Sequence, residues 1–175
     1  TLYDQTFDVP IVLIDGDTGT AKTRLLKHLE RQGAQVLDLE GMAEHRGSLF
    51  GPISDTQPSQ KTFESRLAMR MAKLDPSKPV FIEAESSKIG QLFVPPALWQ
   101  KMIVSPSVKV SAPLEARIGH LVADCDDYVI DTNKLDTVLD QLTRYHGHDV
   151  VDGWKALATK GDFGQLAEEL IVTHY

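Results

Sequence analysis

The sequence is short of positive charge, cysteine and long apolar runs, and each shortage removes a class of function. Eighteen Lys and Arg stand against 25 Asp and Glu, a net charge of −7. That balance argues against broad, sequence-independent nucleic-acid binding, which needs many cationic contacts to phosphates; a local basic surface stays compatible with it. The single cysteine, Cys125, cannot close an internal disulfide, so a reducing cytoplasm is the expected compartment. Its neighbours Asp124, Asp126 and Asp127 disfavour the thiolate, which argues against a catalytic thiol. The longest apolar runs, Ile11 to Ile14 and Val80 to Ile82, are too short to span a bilayer, so no membrane association is expected. Residues 1–10 lack the basic start and apolar stretch of a signal peptide, and a first residue of Thr rather than Met fits a piece of a longer chain. No Cys/His set has zinc spacing, since His146 and His148 lack partners.

What is present is an alternation of strand and helix patterns. Val9 to Ile14 reads as a buried parallel strand ended by Asp-Gly, and Lys22 to Gln32 as a helix with Leu25, Leu26 and Leu29 at helical spacing. Gln35 to Leu39 reads as a second strand, Glu40 to Ser59 as a long polar loop, and Gln60 to Leu74 as a helix ended by Asp75-Pro76. Pro79 to Glu83 and Val108 to Val110 are further strands, with helices over Pro95 to Met102 and Pro113 to Val122. After Cys125, Leu135 to Leu142, Val151 to Leu157 and Leu166 to Ile171 mark three helices, the last begun by Asp162 as a cap. The expectation is an α/β core over residues 1–125, a mostly parallel sheet flanked by helices, and a helical C-terminal segment over 126–175 packed on the same domain.

Between the first strand and the first helix stands Gly16-Asp17-Thr18-Gly19-Thr20-Ala21-Lys22-Thr23. This is the spacing of a P-loop, or Walker A motif: glycines curl the backbone so that N–H groups face phosphate oxygens, the Lys supplies charge, and the hydroxyl is a ligand for Mg²⁺. Ala21 departs from the glycine the pattern asks for, and a Cβ there is costly if the position needs φ > 0. The fold class expected is therefore P-loop NTPase-like, with residues 16–23 holding a phosphorylated ligand.

Other groups fall into place around the loop, each with a structural alternative. Glu83 and Glu85 follow a buried strand, on one side of it by period-2 geometry, where such proteins orient Mg²⁺; a polar strand end is the alternative. Thr23 and Glu83 are the metal candidates. His45 and Arg46 lie in a Gly-bounded polar loop, where Arg46 is placed to clamp phosphate and His45 to move a proton or meet a base; a solvated loop is the alternative. Lys61, Arg66 and Arg70 make no single stripe, which favours an ordinary charged face. Arg117, on the helix after the fourth strand, is a candidate for the phosphates or an exposed helix arginine.

Taken together, residues 18–23, Val36-Leu37-Asp38-Leu39-Glu40-Gly41, Glu44-His45-Arg46-Gly47-Ser48, Gln57-Pro58-Ser59-Gln60-Lys61 and Glu83-Ala84-Glu85-Ser86 resemble the P-loop domain of the tRNA 2-selenouridine synthases, from about Pro10 to Val122. The resemblance implies a transferase acting on the wobble uridine of tRNA anticodons. Its 2-thio group is geranylated from geranyl diphosphate and then exchanged for selenium from selenophosphate. It implies a rhodanese-like domain elsewhere in the same protein, whose cysteine Cys125 does not replace. Lys22, Arg46, Glu83, Glu85 and Arg117 become the catalytic candidates, and His45, Arg46, Gln60, Lys61 and Lys88 the tRNA contacts. ATP or GTP in the loop stays open, as do two rival readings: a small-molecule kinase, and a non-catalytic module that positions tRNA.

Overall fold

A central strand, Ile11–Asp15 (β1), pairs in parallel with Val80–Glu83 (β3) on one side and Ser107–Lys109 (β6) on the other, while Gln35–Leu37 (β2) pairs in parallel with β3, giving the order β2-β3-β1-β6. The computed structural model describes residues 8–46, 56–124 and 132–175. The described residues fall into two compact units, one within residues 1–16 and 22–110, the other within residues 17–21 and 111–175.

In the first unit strand alternation sorts the core into two layers. Ile11, Leu37, Val80 and Ile82 point to one face, where Phe63 and Leu67 of helix Gln60–Met71 (α3) and Leu98 and Met102 of helix Pro96–Met102 (α4) are buried with them. Ile14 and Val36 point to the other face, against Leu25, Leu26 and Leu29 of helix Lys22–Arg31 (α1). Coverage on both faces is what a parallel sheet requires, and it explains why these strands read as continuous apolar runs. Strand β6 is the exception: all three of its residues are exposed, as befits a sheet edge.

Two local elements were not anticipated. Residues Leu39–Ala43 form a short helix (α2) where strand end and loop were expected, because the Asp38 side chain accepts from Gly41 N at 2.7 Å and starts a turn. Lys88–Ile89 (β4) and Leu92–Phe93 (β5) form an antiparallel hairpin where no strand was expected, and where Lys88 was placed in a loop. The second unit is helical: Leu114–Asp124 (α5), Thr132–Asp140 (α6), Thr143–His146 (α7), His148–Lys160 (α8) and Phe163–Thr173 (α9). Its buried residues include Leu135, Leu139, Val151, Trp154, Leu166 and Leu170. The expected cap of α9 is present, the Asp162 carboxylate accepting from Gln165 N at 3.2 Å. Among the described residues no helix is long and apolar enough to cross a membrane. Cys125, Gly47 and Ser48 lie outside the described residues.

Candidate functional site

In the first unit, register brings two strand ends together. Ile14 pairs with Glu83 across β1 and β3, so the end of β3 lies beside the point where β1 gives way to the loop. There Lys22 Nζ donates to the Gly16 carbonyl at 2.8 Å and stands 3.6 Å from Glu83 Oε1, while Thr23 Oγ1 donates to Glu83 Oε2 at 2.9 Å. The motif's Lys and hydroxyl thus meet one acid. Glu83 is 7% exposed. Burial raises its pKa, and the Lys22 charge and the Thr23 hydroxyl work against that rise.

Glu83 does not act alone. Carboxylate oxygens of Glu40, Glu83 and Glu85 all lie within 4.8 Å of one another. Glu40, in the first turn of α2 and 6% exposed, was absent from the sequence-level candidates. Burial, followed by the charges of Glu83 and Glu85, pushes its pKa up to about 9, so it holds its proton at neutral pH and donates it to Glu85. Glu85 is itself raised by burial and by the charge of Glu83. Three like acids this close cannot all ionise cheaply. The one clue in the sequence was an Asp-x-Glu string, Asp38 to Glu40, directly after a strand.

In the second unit the loop interior is built by its own backbone. Thr20 N and Thr20 Oγ1 both donate to the Asp17 carbonyl, at 3.2 and 2.7 Å. Arg117 Nε donates to the Thr18 carbonyl at 2.8 Å, so the sequence-level arginine candidate fixes the loop's path. Gly19 has φ 84°, and a Cβ on it would stand 2.8 Å from the Arg117 carbonyl, so this glycine is required. Ala21 has φ 62°, the left-handed region its Cβ disfavours by roughly 1–2 kcal/mol. Replacing Ala21 with glycine is therefore expected to stabilise the chain by about 1 kcal/mol in urea unfolding, after allowing for the more flexible unfolded state. The same change should tighten phosphate-ligand binding in calorimetry; weaker binding and lower stability would contradict this account of the loop.

Of the remaining candidates in the first unit, His45 and Gln60 touch the β4–β5 hairpin and Lys88 lies on it. His45 is 9% exposed, and burial lowers its pKa; its Cδ2 lies 2.7 Å from where a Cβ on Gly90 would stand. Arg46 follows it, half-buried. Gln60 spends its amide on Phe93, donating to the carbonyl at 2.8 Å and accepting from the N–H at 2.9 Å. Lys61 and Lys88 are exposed. Arg66 and Arg70 line an open groove of about 530 Å³ with Asp38, Gly41 and Met42. Both pair with acids, Arg66 with Glu44 at 2.8 Å and Arg70 with Glu30, in keeping with a charged face.

The model of the tRNA 2-selenouridine synthase AAA domain matches residues 9–159. The tRNA 2-selenouridine synthase of Nitrosomonas europaea is 37% identical over 125 residues, covering 70% of this chain and 31% of that protein. Its counterpart from Verminephrobacter eiseniae is 42% identical, over 67% of this chain and 33% of the relative, and that from Alcanivorax borkumensis 35% identical, over 82% and 37%. The chain thus spans about a third of the length of these relatives. With the parallel sheet, the Ala21-Lys22-Thr23 end of the loop and the acid at the end of β3 already in place, the chain belongs to the family of tRNA 2-selenouridine synthase AAA domains.

Proposed function

We propose that this chain is the phosphate-handling domain of a tRNA-modifying transferase that converts wobble 2-thiouridine to 2-selenouridine by way of a geranylated intermediate. The relatives are named tRNA 2-selenouridine synthase, and the observation that supports the reading's chemistry is the convergence of Lys22, Thr23 and Glu83 at the end of β1. In the geranylation step the 2-thio sulfur attacks C1 of the geranyl group, the C–O bond breaks, and diphosphate leaves with the bonding pair. The backbone of residues 16–23 receives that diphosphate, and the Lys22 ammonium neutralises charge as it grows on the leaving oxygen. In the second step the selenium of selenophosphate attacks C2 of the geranylated base, the C2–S bond breaks with geranylthiol leaving, and water cleaves the P–Se bond to release phosphate, again an anion for the loop.

The donor set suits a hard divalent cation. Thr23 Oγ1 and the Glu83 carboxylate are oxygen ligands of the kind Mg²⁺ takes, and Glu85 extends the set. Mg²⁺ there would supply charge neutralisation for a diphosphate. The protein's own part is to hold Glu83 by the Thr23 hydroxyl and the Lys22 charge and to keep the Glu40 proton available to Glu85. His45, Arg46, Lys61 and Lys88 are assigned to the tRNA side, in the cytoplasm, with a rhodanese-like domain as the partner that handles selenium.

Titration with geranyl diphosphate, selenophosphate, ATP and GTP, each with and without Mg²⁺, tests the reading by calorimetry. Geranyl diphosphate is expected to bind more tightly than either nucleotide. ATP binding with turnover in the absence of tRNA, and no binding of geranyl diphosphate, would overturn it.

A further inference from the structure

The hairpin of β4 and β5 is too short to hold itself in water, since two-residue strands make few ladder bonds. The protein fixes it from outside. Gln57 Oε1 accepts from Gln91 N at 2.7 Å, and its Nε2 donates to the carbonyls of Ile89 and Ala43, both at 3.1 Å. Gln60 holds both backbone polar groups of Phe93, and Ile89 and Leu92 are buried beneath. The turn closes at Gly90, φ 60°, where a Cβ would run into Gln57 and His45.

What this clamped element presents is Phe93, 54% exposed. Among the described residues of the first unit it is the one exposed aromatic. Lys88, its cross-strand partner, places Nζ 5.6 Å from the ring centroid, and Lys61 follows Gln60 on α3, also exposed. Among the described residues of the first unit, one exposed ring with a cation beside it is too small for a protein interface, which needs a contiguous patch. It has the two features an unpaired nucleotide needs: a π face held rigid and a positive charge within reach of the adjoining phosphate.

We propose that Phe93 is a stacking platform for an unpaired base of the RNA substrate, with Lys88 taking the neighbouring phosphate. The proposal rests on the tRNA reading above and adds a residue and a mode of contact to it. The Gln57 and Gln60 clamps then have a purpose, because an aromatic fixed in place loses little freedom when a base lands on it.

The test is binding of the 175-residue chain to a fluorescein-labelled anticodon stem–loop RNA, against a fully paired RNA hairpin of the same length. Phe93→Ala and Phe93→Leu are each expected to weaken stem–loop binding about tenfold with the paired hairpin unaffected. Phe93→Trp should retain binding and add a fluorescence signal that the RNA quenches. Lys88→Gln should lower the slope of log affinity against log salt by about 1. Thermal melting confirms that each variant is folded, and the Leu variant keeps the apolar bulk should the Ala variant unfold. Phe93 variants that bind the stem–loop within twofold of the parent, or that lose the paired hairpin equally, overturn the platform and leave the tRNA reading standing. A parent chain that binds neither the stem–loop nor intact tRNA overturns both.

Discussion

Replacing Lys22 with alanine is expected to cost about 3 kcal/mol of diphosphate binding, roughly a hundredfold in affinity, while leaving the chain folded. Lys22 Nζ already rests on the Gly16 carbonyl, at 2.8 Å, so it is held over the loop and needs little reorganisation to meet a ligand oxygen. The loss has a second consequence. Lys22 is the neighbour that most opposes the burial-driven rise of the Glu83 pKa, so without it Glu83 takes up a proton at higher pH. A protonated Glu83 is a poorer ligand for a divalent cation, and the Mg²⁺ dependence of binding should weaken along with affinity. Arginine is not expected to rescue, because its planar fork does not fit the space of a compact ammonium. Calorimetry of geranyl diphosphate with Lys22→Ala and Lys22→Arg, with and without Mg²⁺, measures this directly. Unchanged affinity in Lys22→Ala would remove the loop from the binding site.

Glu40→Gln is expected to raise stability by about 2 kcal/mol at pH 8 and to leave it unchanged near pH 4.5. The folded chain keeps Glu40 protonated up to about pH 9, whereas an unfolded chain releases that proton near the ordinary glutamate value. Between those limits the folded state binds more protons than the unfolded one, so stability is full below the ordinary value and falls as pH rises. Glutamine carries the donor permanently and cannot ionise, so the variant loses this slope. The full span of the shift sets a ceiling well above 2 kcal/mol, and relaxation around the buried acids brings the expected figure down. The raised pKa values of Glu83 and Glu85 give a residual slope of the same sign in the variant. Urea unfolding at pH 5, 6.5 and 8 reads the difference; a parent chain whose stability rises with pH across this range would show that Glu40 is ionised.

The loop was legible because its chemistry is local: two glycines and Lys-Thr fall within eight residues, between an apolar strand and a helix. Glu83 and Glu85 were legible for a similar reason, since strand periodicity puts them on one side. Glu40 was not. It reaches the cluster through α2, a five-residue turn set up by the Asp38 cap, and five residues are too few for a helical period to register. The hairpin escaped notice because its strands are two residues each and are held by Gln57 and Gln60 side chains from a distant segment. The strings around Gln57 and Gln60 were singled out as specific, but their visible work is to clasp backbone. Ala21 was identified as the weak point of the motif from its Cβ alone, and its φ of 62° is the conformation in which that Cβ is costly.

The account stands on residues 16–23 as the place where phosphate is held, and backbone NMR of the ¹⁵N-labelled chain titrated with diphosphate tests that most directly. The amides of Gly19, Thr20, Ala21, Lys22 and Thr23 are expected to show the largest and earliest shifts, with a common dissociation constant. Shifts confined to the groove lined by Asp38, Gly41, Arg66 and Arg70, with the loop amides unmoved, would contradict it.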